Sequence, residues 1–353
     1  MPGLLNRQPT PRIAPSPLEA CARRIETGAP VSAIVAEDDS LVSAHGDGAL
    51  RVFRGNEAPR VIGVHDGVVL SMCLDRDRGA VLTGGDDAVL ARTTLDGRSE
   101  CLASFDRRWV DHVIASRASG ARACSAGRTV HVWRRGARAK ETLEHPSTVG
   151  GLAMDASGRR MAVAHYGGVT VHARGKRAWR PVRLPWAGSH IGVTFSPDGR
   201  FVVSSMQENA LHGWRLSDRA DLRMAGYPSK VHVMRWVGDL PWLATSGAGY
   251  AVAWPFDGRD GPMGRAPRTL AEGGDQVVTC IAGLPGADAL FAGFEDGAVL
   301  FTELDGDSGD HVVRGSTGSP VTAIGVTADL GWLLIGDEAG RLFHARLRAD
   351  QNT

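Results

Sequence analysis

Apolar segments recurring about every forty residues, a lack of helical period between them, and glycine-bearing turns in every repeat predict an all-β chain. The predicted architecture is a β-propeller of four-stranded antiparallel blades. Eight segments align: VSAIVA from 31, VVLSMCL from 68, VDHVIAS from 110, VGGLAMD from 149, HIGVTFS from 190, VHVMRW from 231, VVTCIAG from 277 and VTAIGVT from 321. Their anchor residues (31, 69, 110, 149, 190, 231, 278 and 321) lie 38, 41, 39, 41, 41, 47 and 43 residues apart. Seven anchors are valine, and the fifth is His190.

Each unit has the same order. The first strand carries a second apolar residue three places after its anchor, such as Ile34, Val113 or Ile324, on the opposite face of the sheet. Both faces can be buried because each blade is sandwiched between two others. A turn follows, as in DASGR (155–159), SPDGR (196–200) or VGDLP (237–241). The second strand ends in small residues before a tight turn: HGDG (45–48), GDDA (85–88), HYGG (165–168), QEN (207–209) or FEDG (294–297). A third strand such as ALRVFR (49–54), TVHVWR (129–134) or ALHGWRL (210–216) and a more polar fourth complete the unit.

Eight first strands predict eight blades, with seven as the alternative count. The last unit ends at RLFHARL (341–347) with no fourth strand after it, and LEACARRIETG (18–28) precedes the first unit. The ring is therefore expected to close by pairing this N-terminal strand with the last blade, removing two sheet edges. The domain reading is a flexible proline-rich tail over 1–17, one propeller over 18–348, and a C-terminal tail over 349–353.

The motifs SPDGR (196–200), SAHGDGALRVF (43–53), VHDGVV (64–69) and EHPSTV (144–149) are similar to those of the WD-repeat propeller family over nearly the whole chain. The resemblance implies a structural bond from a histidine in the loop before a blade to an aspartate in the turn between strands two and three. His65 and Asp87 fit it, although Thr93 stands where the family has a tryptophan. His145 has the loop position, but Gly167 replaces the aspartate; Asp47 and Asp296 occupy the turn without the histidine.

Composition narrows the chemistry. Forty basic against thirty-nine acidic residues give a formal charge of +1, which argues against a nucleic-acid partner. Five cysteines without a C-x-x-C pair point away from a disulfide framework and toward a reducing, cytoplasmic setting. No stretch is apolar enough for a signal peptide or a membrane span. Lysine occurs only at 140, 176 and 230 against abundant arginine, the residue usage of a high-GC bacterium. No GxSxG, HExxH or Walker motif is present, and DGDSGD (305–310) lacks EF-hand spacing, so the expectation is a chain without enzymatic activity or cofactor.

The expected function is a monomeric, non-catalytic WD-repeat scaffold, binding a protein partner through one loop face over units four to six. The three tyrosines, Tyr166, Tyr227 and Tyr250, fall in turns of that face together with Trp186 and Lys230. Tyrosine and tryptophan on convergent loops are recurrent interface anchors. The alternative is metal or small polar ligand binding at the channel mouth, in metal homeostasis, by His190, Glu208, His165 and Gln207. RRGARAK (134–140) and RGKRAWR (174–180) are expected to form a basic patch on the opposite face, with Trp179 exposed in it.

Overall fold

The computed structural model describes residues 16–137, 139–176, 178–305 and 309–347. Residues 1–15, Arg138, Arg177, 306–308 and 348–353 lie outside the described residues, and with them the C-terminal tail expected over 349–353 and all but the last two residues of the N-terminal tail. Among the described residues thirty strands and one short helix form a propeller of antiparallel sheets, and in each four-stranded sheet the first strand of the unit is an end strand that packs against the first strands of neighbouring sheets. Five second strands, Ser40–His45, Ala80–Gly85, Ala121–Ala126, Phe201–Met206 and Ala289–Phe294, are buried along their full length. That is the burial expected of strands covered on both faces.

Counting each hydrogen-bonded sheet as a blade gives seven, the alternative count and not eight. Six sheets have four strands, and the remaining one has six, spanning sequence units four and five. The cause is local. Arg160–Arg174 turns at Gly167 and Gly168, both at positive φ, so that the Arg174 N–H donates to the Arg159 carbonyl at 2.8 Å. The stretch between units, a loop elsewhere, stays extended because Tyr166 pairs with Ser189, and Trp179–Phe195 runs on unbroken into unit five.

Packing between units follows one rule. Every anchor is at most 2% exposed, and Val110, Val321 and Val31 each rest on the second strand of the unit before, the last unit standing before the first. A Cβ added to Gly84 would lie 2.5 Å from Val110 Cγ1, one on Gly293 2.5 Å from Val321 Cγ1, and one on Gly336 2.6 Å from Val31 Cγ1. The small residues ending second strands are thus the sockets for the next anchor.

The N-terminal segment is not one strand. Pro17–Cys21 is a helical turn capped by Ser16, and only Arg23–Glu26 is extended. That strand pairs with Arg341–Arg346, Arg23 opposite His344, as the outer strand of the last sheet. Closure of the ring by this strand, the sequence expectation, is not what the structure shows: the strand pairs only with the last sheet. The first and last sheets meet by side-chain packing nearer the channel, where Val31, Leu41 and Phe53 cluster with Ala323, Leu334 and Leu342.

Deleting residues 1–28 removes the strand beside Leu342 and Phe343 and the turn at Thr27, whose hydroxyl donates to the Gly340 carbonyl at 2.8 Å. Deleting 1–15 leaves every described contact in place. The first truncation is expected to lower the melting temperature and the second to leave it unchanged; equal values would contradict this edge assignment.

Candidate functional site: the loop face and the channel mouth

Loops before first strands and turns between strands two and three share one end of the sheets. The His65–Asp87 pair shows this directly, Nδ1 lying 3.0 Å from both carboxylate oxygens while Nε2 sits 2.8 Å from Thr83 Oγ1. Thr93 is buried outside this network and bonds Ser99.

Other units make the same loop-to-strand link with different side chains. His45, at the end of its second strand, has Nδ1 at 3.4 Å from the Ala29 carbonyl in the loop before unit one and Nε2 at 2.8 Å from Ser43 Oγ. The Nε2 atoms of His145 and His172 approach to 3.0 Å. Tyr227 Oη lies 2.7 Å from Thr245 Oγ1 and accepts from the Trp254 indole N–H at 2.7 Å. Just before the last unit Arg314, 3% exposed, donates from Nε to the Gly297 carbonyl of unit seven and lies beside Asp337 of the last unit, which is fully buried. Each is a buried polar group that the fold must satisfy.

The proposed ligand histidines belong to this set. His190 is 1% exposed, with Nδ1 at 2.7 Å from Ser204 Oγ and Nε2 at 3.2 Å from the Trp186 carbonyl. His165 places Nε2 at 2.9 Å from Thr170 Oγ1 and Nδ1 at 2.9 Å from the Tyr166 carbonyl. Glu208 is exposed and accepts from the Ser189 N–H, and Gln207 is exposed in the same turn. Among the described residues no group of three or more His, Cys, Asp or Glu side chains is arranged to hold a metal ion.

The aromatic set divides. Tyr166 and Tyr250 are exposed, at 68% and 37%. Trp186 is half-buried, stacked on His212 at 3.7 Å between centroids, and Tyr227 is buried with its hydroxyl satisfied, so neither is an open anchor. Sequence reasoning missed Trp109, 57% exposed in the loop before unit three. The preceding Asp106 and Arg107 have φ of 37° and 66°, two consecutive non-glycine residues in the left-handed region, at about 1 kcal/mol each.

The described basic residues of the first segment of the expected patch have partners within the fold, while Arg174, Lys176 and Arg180 of the second are exposed. Arg134 pairs with Glu141, Arg135 with Asp77, and Lys140 lies over the Phe105 and Trp133 rings. Trp179 is buried at 6%. In the acidic connection of unit seven, Asp310 accepts from the Ala271 and Glu272 N–H groups.

The channel itself has two unlike ends. At the far end of the first strands, a cavity of 650 Å³ is lined by Cys73, Asp75, Ile114, Arg117, Leu152 and Asp155 among others. Its charges are paired: Asp75 with Arg92 and Arg122, Arg117 with Glu37, Asp155 with Arg160. On the loop face, a cavity of 960 Å³ lies against the starts of the first strands of units six to eight. Lys230, lining this cavity, is half-buried.

Burial holds the pKa of His45, His145, His172 and His212 down to about 4, and lowers that of His190 as well. The unfolded chain, with histidine near 6.5, then binds more protons than the folded one. Their contribution to stability is complete above pH 6.5 and is lost as pH falls toward about 4. The lowered carboxylates, such as Asp75 and Asp155, lie below their usual 3.8 and act under this window, while burial raises Asp111. The urea midpoint is expected to fall steadily from neutral pH to about pH 4.5; a flat midpoint would contradict the burial of these rings.

No protein-family model matches the chain, and no curated protein matches it. Among the described residues no helix is long and apolar enough to cross a membrane. Among solved structures, the crystal structure of the computationally designed Ika8 protein is similar, with a TM-score of 0.72 at 18% identity. The likeness covers 91% of this chain and 97% of that one. At that identity it shows the fold alone: the chain is a β-propeller.

Proposed function

We propose that the chain is a non-catalytic interaction platform of the WD-repeat kind, binding a protein partner through its loop face. The observation that carries the reading is the exposure of Trp109, Tyr166 and Tyr250 on loops of one face, above sheets that are buried on both sides. Large rings left in water on a rigid frame have contact area to offer and little conformational entropy to lose. The resemblance in sequence motifs and the residue usage support a bacterial, cytoplasmic WD-repeat protein. The absence of enzyme motifs supports a role without chemistry.

Trp186 and Tyr227, first expected as anchors, are set aside on this reading, since the half-buried Trp186 ring is stacked on His212 and the buried Tyr227 hydroxyl is bonded to Thr245 and Trp254. A metal reading at His190, Glu208, His165 and Gln207 has no such group of ligating side chains behind it among the described residues.

Trp109→Ala combined with Tyr166→Ala is expected to strip partners from the protein purified from its native cell while leaving its melting temperature within about 1 °C, as surface substitutions do. Tyr227→Ala is expected to lower the melting temperature instead. An unchanged partner set for the first double variant would remove this face from the account.

A further inference from the structure

The geometry points to a binding site for a small zwitterion in the loop-face mouth of the channel: a molecule with a carboxylate and an ammonium group separated by an apolar spacer. The inference goes beyond the platform reading and rests on different residues. The cavity of 960 Å³ is lined by Lys230 and His232 at the start of unit six and by Glu338 in a turn of the last unit. Val233, Val277 and Pro320 form a largely apolar floor between these two sides.

The placement of the charges follows from the local chain. Val231 is an anchor and fully buried, so its neighbours Lys230 and His232 both turn away from the core and line the cavity. Glu338 is held by its N–H, which donates to the Pro320 carbonyl at 3.0 Å. The neutral donors of the wall are already used. Thr279 Oγ1 donates to the Val321 carbonyl at 2.7 Å, Thr322 Oγ1 to that of Gly336, Ser229 Oγ to that of Gly247, and Asn209 Nδ2 to that of Pro228.

The side chains of Lys230, His232 and Glu338 have no hydrogen-bond or ion-pair partner among the described residues. The opposite end of the same channel pairs all of its lining charges. A cationic side facing an anionic side across an apolar floor selects against simple ligands of either sign. Glu338 repels a plain anion, Lys230 repels a plain cation, and a molecule with both ends satisfies each wall by a charge-assisted hydrogen bond.

The test is isothermal titration of the full chain with β-alanine, γ-aminobutyrate and ε-aminocaproate, using caproate and hexylamine as single-ended controls. At least one amino carboxylate is expected to bind about tenfold more tightly than either control. Lys230→Met is expected to weaken that ligand about tenfold without weakening hexylamine, and Glu338→Gln to weaken it without weakening caproate. Both side chains are solvent-facing, and unchanged melting temperatures for the two variants check the fold. Absence of binding across the series, or a control that binds as tightly as its amino carboxylate, overturns the proposal. Neither result bears on the partner-loss experiment with Trp109 and Tyr166.

Discussion

The seating of one unit's anchor valine in a socket of small residues on the preceding second strand is the contact on which the rest of the molecule depends. Where the socket is Gly84, Gly293 or Gly336, the facing Val110, Val321 or Val31 occupies the space that a Cβ would need. Close approach there brings two covered sheet faces together, so second strands can be apolar throughout and first strands can line a channel. The last socket, Gly336, receives the first anchor, Val31. The same contact that stacks neighbouring sheets therefore joins the first to the last, and the strand Arg23–Glu26 adds an outer edge to a junction already made.

Polar links form a second layer of constraint. The loop before a unit must be tied to the turn or strand beneath it, and the chain does this with a histidine–aspartate pair, a histidine pair, a tyrosine between threonine and tryptophan, or an arginine. The tie is retained while its chemistry varies, which shows that the loop face needs anchoring more than it needs any one residue. Once its base is fixed, the tips are free to carry exposed rings and unpaired charge without cost to the sheets.

The repeat, the anchors, the four-strand order and the small sockets were legible in the sequence, because burial of both sheet faces leaves a periodic trace in residue type. The merging of units four and five was not. The turn at Gly167–Gly168 was legible as HYGG, but the merging depends on the Tyr166–Ser189 pairing across it, a matter of backbone geometry that residue types do not encode. Tyr227 read as a surface residue because it stands in a loop; its true partners, Thr245 and Trp254, are eighteen and twenty-seven residues away. Trp109 was overlooked beside its anchor Val110, although an aromatic side chain just outside an anchor position was the available signal. His190, the one anchor that is not valine, keeps the buried position of its sisters and adds a bond to Ser204.

The socket contact between Val31 and Gly336 is most directly tested by a double-mutant cycle of Gly336→Ala and Val31→Ala, read as unfolding free energy in urea. The account predicts that Gly336→Ala alone destabilises by about 1–3 kcal/mol through overpacking, and that with Val31→Ala present the same change costs much less. Additive effects of the two substitutions, or a Gly336→Ala variant as stable as the parent, would contradict it.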